Sequence, residues 1–197
     1  MIYHYFSSKP KPSTTTSLIW LEAYGVQFKF KTANGVFSKG RVDLGSQILI
    51  KYLKVPEKGR VLDLGCGYGP IGIVLAKINP SLEVHMVDIN PLAVLLAREN
   101  AELNNVRNVY FHVGDCLDPV KSLFFKAIYS NPPLSAGYKV VFRMLSQSYE
   151  HLEPDGWLQI VIRKGVEAIS RKLMEIFGNV ETVAKESGYR VLISRKV

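Results

Sequence analysis

From residue 61 onward, short apolar runs alternate with longer segments whose apolar residues recur at helical spacing. The apolar runs cover residues 61–64, 84–87 and 109–113, and the helical segments cover residues 70–78 and 91–103. Asn90-Pro91 provides a helix cap followed by proline at the first helical position. Alternation of this kind predicts strands that lie parallel in one sheet, with helices packed on its faces.

The pattern continues along the chain and then changes near its end. Further strands are predicted at residues 125–129 and 157–162, and further helices at residues 138–152 and 166–177. The last two predicted strands, 180–185 and 189–194, are joined by Ser187-Gly188 without a helix between them. Because strands joined by a short turn lie antiparallel, we predict an α/β fold with a seven-stranded, mostly parallel sheet that ends in an antiparallel hairpin.

The first 60 residues follow a different pattern. Residues 1–24 begin with a polar stretch that contains prolines, which predicts an arm or loop. Residues 25–30 alternate apolar and polar positions and Asn34-Gly35 is a hairpin-turn dipeptide, so a small β appendage is predicted, followed by a helix at residues 44–53. We therefore divide the chain into a basic N-terminal appendage, residues 1–60, within the same compact unit as a core at residues 61–197.

Composition excludes several classes of protein. The 197 residues are 47% hydrophobic and 21% charged, close to globular averages, which excludes disordered and collagen-like chains. The longest early apolar cluster, residues 17–21, is too short to cross a membrane and is not arranged as a signal peptide. Cys66 and Cys116 provide neither a disulfide framework nor metal-ligand spacing. We expect a cytoplasmic protein with no bound metal and no membrane partner.

The positive charge is concentrated near the N-terminus. Lys and Arg exceed Asp and Glu by 25 to 17, and residues 1–60 contain ten basic residues against three acidic ones. Aromatic residues such as Trp20 and Phe28 lie among these lysines. A basic and aromatic segment suits a polyanionic partner, of which nucleic acid is the natural candidate. A solvated basic face on an ordinary enzyme explains the charge equally well.

The turn after the first core strand carries alternate glycines, Gly65, Gly67 and Gly69. Such glycines let the backbone turn tightly and leave room for a ligand against the main chain. Asp63, at the end of the strand, can accept hydrogen bonds from a ligand cation or hold the loop amides. Gly67, Gly69 and Gly72 also match the dinucleotide-binding fingerprint, so a nicotinamide-dependent oxidoreductase stays open at this point.

Two further carboxylates follow the next two strands. Asp88 lies 23 residues after Gly65, where an acidic side chain can accept hydrogen bonds from both hydroxyls of a ribose. A helix cap is the alternative role, but Asn90 already fills that position. Asp115 lies at the same edge of the sheet, where it can accept a hydrogen bond from an adenine amino group or simply form an Asx turn.

Asn131-Pro132-Pro133-Leu134 follows the fourth core strand. Because the prolines fix the backbone, we expect the Asn131 amide oxygen and the Pro132 carbonyl to point outward as paired acceptors, with no N–H to satisfy them. Such a fork fits an exocyclic NH₂ group and turns its lone pair toward an electrophile, which is catalysis by orientation. A proline turn that merely ends a strand is the alternative.

The order and spacing of these motifs resemble the class I S-adenosylmethionine-dependent methyltransferases that modify amino or amide nitrogens. Residues 35–38 and 42–49 are similar to the segment before the cofactor loop in ribosomal small-subunit methyltransferase C and its relatives, the rRNA guanine-N2 methyltransferases. The resemblance covers about residues 25–197. It implies the Rossmann-like fold of class I methyltransferases, with S-adenosylmethionine as cofactor and S-adenosylhomocysteine as product.

The resemblance also implies a role for each matching residue. Asn131 and Pro132 are the implied catalytic residues, which would hold the target amine. The implied cofactor-binding residues are Asp63, Gly65, Cys66, Gly67, Asp88, Ile89, Asp115, Cys116 and Asn131. The implied substrate-binding residues are Pro133, Leu134, Tyr138 and Lys139. Where the family often has an aromatic residue that stacks on the base, this chain has Leu134, and Tyr138 can supply a ring instead.

Four hypotheses follow from these observations. The first is an RNA methyltransferase, acting on guanine N2 of small-subunit rRNA, whose basic N-terminal segment contacts phosphates. The second is a protein glutamine-amide methyltransferase of the release-factor type, which has a similar Asn-Pro-Pro fork. The third is a nucleic-acid-binding relative that no longer catalyses. The fourth is the oxidoreductase, a hypothesis that assigns no role to Asn131-Pro132-Pro133.

Overall fold

The computed structural model describes residues 16–33 and 40–197, which form a seven-stranded sheet, a two-stranded sheet and five α-helices. The strands are β1 Thr16–Ala23, β2 Val26–Ala33, β3 Gly59–Leu64, β4 Leu82–Asp88, β5 Val109–Val113, β6 Phe125–Ser130, β7 Leu152–Ile162, β8 Glu181–Glu186 and β9 Tyr189–Arg195. The helices are α1 Leu44–Lys51, α2 Pro70–Ile78, α3 Pro91–Leu103, α4 Tyr138–His151 and α5 Val166–Phe177.

The large sheet has the strand order β5-β4-β3-β6-β7-β9-β8. Its strands are parallel except β9, which is antiparallel to both β7 and β8. The predicted mostly parallel sheet with an antiparallel hairpin at its end is confirmed. Strand order reverses between β3 and β6, since the chain first moves outward through β4 to β5 and then returns to the other side of β3. At such a switch point, ligands bind outside the carboxyl ends of the strands.

The helix starts predicted at residues 70 and 91 are confirmed at this edge of the sheet. Gly69 adopts φ 91°, a conformation that favours glycine, and Pro70 then begins α2. Asn90 caps α3, because its side chain accepts a hydrogen bond from the Leu92 N–H at 3.0 Å. Asp88 is therefore not needed as the cap.

The first strand corrects the prediction that residues 1–24 form an arm or loop. Thr16–Ala23 is β1, and it pairs with β2 along its whole length. The hairpin turns at Tyr24-Gly25, where both residues have positive φ, 53° and 71°, as the favoured two-residue hairpin loops require. The arm predicted over residues 1–15 and the turn predicted at Asn34-Gly35 lie outside the described residues.

Two asparagines at the C-terminal end of α3, Asn100 and the cap residue Asn104, attach the hairpin to the core. The Asn100 and Asn104 side-chain oxygens accept hydrogen bonds from the backbone N–H groups of Lys31 and Lys29, at 2.6 and 3.0 Å. Their side-chain nitrogens donate to the carbonyls of the same two lysines. The Asn100 amide also donates to the Tyr68 carbonyl in the glycine loop. The edge of β2 that faces away from β1 is therefore paired with asparagine side chains and not with another strand.

The hairpin and α1 pack on the same side of the large sheet. Phe28, Phe30 and Ile48 are buried in one apolar cluster with Val74 and Tyr129 of the core. Burial of these side chains stabilises the packing of the hairpin and α1 on the core. The division of the chain at residue 60 stays a prediction. Among the described residues, no helix combines the length and apolar character needed to cross a membrane.

Candidate active site

A cavity of about 420 Å³ opens at the switch point, beside the carboxyl ends of β3, β4 and β6. Its volume is typical of small-molecule sites. It brings together most of the residues predicted from the sequence, namely Gly65, Cys66, Gly67, Asp88, Ile89, Asp115, Cys116, Asn131, Pro132, Pro133 and Leu134. Asp63, Tyr138 and Lys139 are not among its lining residues.

The glycine loop forms one wall of the cavity. Gly65 has φ 76°, and a Cβ built there would contact no protein atom, so a side chain would instead protrude into open space. The loop amides are already engaged by the protein. The Gly65 and Cys66 N–H groups donate to the Val87 carbonyl, and the Gly67 N–H donates to Asp88 Oδ2 at 2.9 Å. These bonds fix the loop backbone against the end of β4.

Asp88 is buried at the end of β4 and forms a second wall. One carboxylate oxygen accepts from the Gly67 N–H, and the other accepts from the Asn90 N–H at 2.9 Å. The carboxylate therefore holds the glycine loop in place while it lines the cavity.

Asp63 lies beneath the glycine loop, with no exposed surface. Its Oδ2 accepts from the Gly72 N–H at 2.8 Å, while its Oδ1 has no hydrogen-bond partner among the described residues. Burial raises the pKa of Asp63 to about 7, with the nearby Asp88 charge adding to the increase and the Gly72 bond opposing it. The amide that it holds, that of Gly72, is in the first turn of α2, so both predicted roles of Asp63 stay predictions.

Asp115 and Cys116 line the cavity near α4. Arg143 of that helix donates to Asp115 Oδ2 at 2.5 Å and contacts Cys116 Sγ at 3.3 Å. Burial raises the pKa of the Cys116 thiol to about 11 and that of Cys66 well above its ordinary value, so both are neutral thiols. Asp115 is partly exposed, and the arginine holds one of its two oxygens.

Asn131 follows β6 with its side-chain amide in a fixed orientation. Its Nδ2 donates to Asp43 Oδ1 at 2.9 Å and to Ser46 Oγ at 3.2 Å. Asp43 is the residue that caps α1, where the same Oδ1 accepts from the Ser46 N–H at 3.0 Å. Because the amide nitrogen is engaged by the protein, the amide oxygen is the group left to accept a hydrogen bond from a ligand.

The predicted pair of acceptors needs one correction. The Pro132 carbonyl was expected to have no N–H to satisfy it, but the Leu134 N–H donates to it at 2.9 Å. Pro133, between them, has φ −77° and ψ 76°, which closes an inverse γ-turn. The two prolines have no N–H groups, but the turn brings the N–H of Leu134 back to the Pro132 carbonyl oxygen. One lone pair of the Pro132 carbonyl is left for a ligand.

The predicted substrate-binding residues divide into two groups. Pro133 and Leu134 line the cavity. Tyr138 and Lys139 lie at the exposed start of α4, where the Tyr138 ring packs beside Phe142 with 5.6 Å between ring centroids. The Tyr138 hydroxyl lies so close to Gly165 that a Cβ there would clash with it. The roles of Tyr138 and Lys139 stay predictions.

Sequence spacing missed several polar residues of the cavity, among them Asp43, Ser46 and Arg143. Asp43 and Ser46 are distant from Asn131 in the chain, and their one local signal is an aspartate three residues before a serine at a helix start. Together with Asp88 and Asp115, Asp43 gives the cavity three carboxylates. Arg143 is the one cation among the lining residues that the structure describes. The lining therefore favours a ligand that carries positive charge and hydrogen-bond donors.

Fold and site together define a Rossmann-like core with a nucleoside-sized cavity at its switch point. Residues 27–193 match the family model described as Methyltransferase small domain, and the chain belongs to that family.

Relatives agree with this assignment. The YbxB protein of Bacillus subtilis (strain 168) is 41% identical over the full length of both chains. Ribosomal RNA small subunit methyltransferase C of Shewanella amazonensis is 37% identical over 82% of this chain and 48% of its own. The resemblance to the methyltransferase C group is thus confirmed. The chain spans about half the length of the methyltransferase C relatives that it matches.

Solved structures extend the comparison. The Thermus thermophilus 16S rRNA N2 G1207 methyltransferase, determined with AdoMet and guanosine, superposes with a TM-score of 0.83 at 28% identity. The match covers 96% of this chain and 52% of that one. A methyltransferase from Pyrococcus furiosus, 21% identical with a TM-score of 0.63, covers 75% of this chain and 79% of its own and shows the shared fold.

Proposed function

We propose that this protein is an S-adenosylmethionine-dependent N-methyltransferase that acts on guanine N2 of small-subunit rRNA. The observation that carries the proposal is the fixed amide of Asn131, whose nitrogen is held by Asp43 and Ser46 while its oxygen is left for a ligand. An acceptor held in this way, beside a nucleoside-sized cavity, suits an exocyclic amine as substrate. The names of the methyltransferase C relatives support rRNA as the substrate class.

The residues of the cavity fit the cofactor. Asp88 would accept both ribose hydroxyls, Asp115 would accept from the adenine amino group, and Gly65 leaves the space for the methionine part. Ile89, Cys66 and Cys116 would add apolar contact. The excess of carboxylates suits the positive sulfonium. When bound, the cofactor supplies a methyl group on a sulfur that is a good leaving group.

The protein's contribution to the chemistry is orientation. The Asn131 amide oxygen and the remaining lone pair of the Pro132 carbonyl would accept the two N–H groups of the target amine. An amine held by both hydrogens keeps its lone pair free to attack, and alignment of this kind lowers the barrier without a metal or a strong base. Pro133 and Leu134 would contact the base. In paired RNA, the base would first have to leave its stack.

RNA binding is assigned to the basic N-terminal segment. In the described part of this segment, the outer face of the β1–β2 hairpin presents Trp20, which is 52% exposed, with the Lys29 ammonium 5.0 Å from its ring. Lys31 lies two residues further along the same face, and its ammonium is paired with Glu99 at 2.7 Å. An exposed ring beside cations can stack on an unpaired base and contact its phosphates. An enzyme of this kind would work in the cytoplasm, where rRNA is made and modified.

The proposal is tested with purified protein, S-adenosylmethionine and two substrates. Calorimetric titration should show cofactor binding, and tritiated methyl should then pass to undermethylated total rRNA and release on hydrolysis as N2-methylguanine. Label in a release-factor mixture instead would select the glutamine-amide hypothesis. Cofactor binding without transfer to either substrate would favour a non-catalytic relative. Absence of cofactor binding would refute the proposal.

A further inference from the structure

We propose that Asp43 is a positioning residue that acts through Asn131, holding its amide so that only the oxygen is presented to the target amine. The inference rests on the proposed function, because it deepens the role of the Asn131 acceptor. Asp43 follows the first 40 residues and caps a helix that precedes the glycine loop. Its sequence position therefore gives no direct indication that it reaches the Asn-Pro-Pro turn.

One oxygen of Asp43, Oδ1, accepts the hydrogen bonds that link it to Asn131 and to Ser46. Its Oδ1 accepts from the Asn131 Nδ2 at 2.9 Å and from the Ser46 N–H at 3.0 Å. Ser46 Oγ adds a longer contact to the same Asn131 nitrogen, at 3.2 Å. The first contact links residues 88 positions apart, and the second anchors Asp43 to the first turn of α1. The helix cap is therefore the fixed point from which the amide is oriented.

A carboxylate imposes this orientation because it can only accept hydrogen bonds. The two ends of the Asn131 amide have nearly the same shape, so shape alone would not fix which end faces the cavity. A flipped amide would place its oxygen against the Asp43 carboxylate, where two acceptors repel each other. The hydrogen bond to a charged acceptor also polarises the amide, which makes its oxygen a stronger acceptor for the substrate.

The backbone beside this contact is built for close approach. A Cβ added at Gly45 would lie 3.1 Å from Asn131 Nδ2 and 3.2 Å from Asp43 Oδ1. It would also lie 3.0 Å from Cε1 of Tyr189 on β9. Helix α1 can thus approach the Asn-Pro-Pro turn this closely because a glycine lies between the cap and the serine.

The test compares D43S with D43N. Serine and asparagine both cap helices about as well as aspartate, so both variants should keep α1 and the fold. Serine is too short to reach Asn131, whereas the asparagine oxygen can accept the same two hydrogen bonds. We expect D43S to lower kcat for methyl transfer to rRNA by at least about tenfold, with the KM for RNA and the cofactor Kd changed less than about threefold. D43N should recover kcat to within about fivefold of the wild type.

Several outcomes would overturn the inference. Wild-type kcat in D43S would show that Asn131 needs no support, and a large rise in cofactor Kd would mean that Asp43 acts on the cofactor directly. Equal loss in D43N and D43S would refute the positioning role, since D43N keeps the two hydrogen bonds and loses only the charge. Thermal unfolding of each variant excludes loss of the fold as the cause.

A measurement without turnover separates this inference from the proposed function. The Asn131 side-chain NH₂ signal, identified in ¹⁵N-labelled protein by its loss in Asn131→Ala, should exchange with solvent several-fold faster in D43S than in the wild type or D43N. Faster exchange would support the positioning contact even if the wild-type protein methylates no RNA. Equal exchange in all three proteins would refute it, whatever the activity.

Discussion

Replacing Asp88 by alanine should affect both the cofactor and the fold, by amounts that the structure allows us to estimate. The substitution leaves the buried Gly67 and Asn90 N–H groups without their acceptor. Each unsatisfied group costs about 1–3 kcal/mol, and since water from the cavity can reach Gly67, we expect a total loss of roughly 2–4 kcal/mol in the free energy of unfolding. For a chain of this size the melting temperature should fall by roughly 5–15 °C.

The effect of Asp88→Ala on cofactor binding should be larger than its effect on the fold. Hydrogen bonds to a charged group contribute about 1.5–3 kcal/mol each, so two ribose hydroxyls correspond to at least about 3 kcal/mol. The Kd for S-adenosylhomocysteine, measured by calorimetric titration below the melting temperature, should therefore rise by at least about 100-fold.

Two matched variants make the result decisive. Asn90→Ala removes the α3 cap at a cost of about 1 kcal/mol but leaves the cavity lining intact, so its Kd should stay within about threefold of the wild type. Asn131→Ala should keep cofactor affinity while methyl transfer falls strongly. The reasoning is refuted if Asp88→Ala binds the cofactor as the wild type does. The division of roles fails if Asp88→Ala and Asn131→Ala weaken binding equally.

Three further predictions concern charge. Burial lowers the pKa of both His85 and His112, whose ring nitrogens lie 2.9 Å apart. Below about pH 6.5 the unfolded chain therefore binds more protons than the folded chain, and stability is lost as the pH falls. His112→Gln should make that loss shallower in urea unfolding between about pH 7 and pH 5; an unchanged slope would contradict this. Arg143→Gln breaks a half-exposed ion pair and should change the unfolding free energy by less than about 1 kcal/mol, which urea midpoints can check. Lys29→Gln with Lys31→Gln should reduce the slope of log affinity against log salt for RNA by about 1–2, and an equal slope would remove the hairpin from the RNA interface.

Most of the core could be predicted because its signals are local. Glycines at alternate positions, Pro70 after Gly69 and the Asn90 cap each determine the backbone within a few residues. The carboxyl ends of parallel strands meet at one edge, so Asp88 and Asn131 could be expected near each other without knowledge of any contact.

The hairpin strand β1 was missed for two physical reasons. Leu18 and Trp20 are exposed while Ile19 is buried, so both faces of the strand carry apolar residues and the alternation is hidden. The turn uses Tyr24 at a position where asparagine or aspartate is usual. Its φ of 53° is supported by a tertiary contact, because the Tyr24 hydroxyl donates to the Ile50 carbonyl at 2.8 Å. No local pattern could indicate that contact.

The orientation of Asn131 was beyond sequence reasoning for the same reason. Its partner Asp43 is 88 residues away, and the pair exists because the start of α1 lies beside the turn that follows β6. The hydrogen bond to the Pro132 carbonyl could not be predicted either, because it depends on the turn at Pro133 that brings the Leu134 N–H back to this oxygen.

The two asparagines at the end of α3 also protect the exposed hairpin from pairing with strands of other molecules. A two-stranded sheet has two open edges, and an open edge can recruit strands from other molecules. Asn100 and Asn104, one helical turn apart, satisfy the outer N–H and C=O groups of Lys29 and Lys31, so that edge of β2 is closed to a foreign strand. Their spacing also fixes the register of β2. A slip of β2 by one residue would lose all four hydrogen bonds and turn Phe28 and Phe30 toward water.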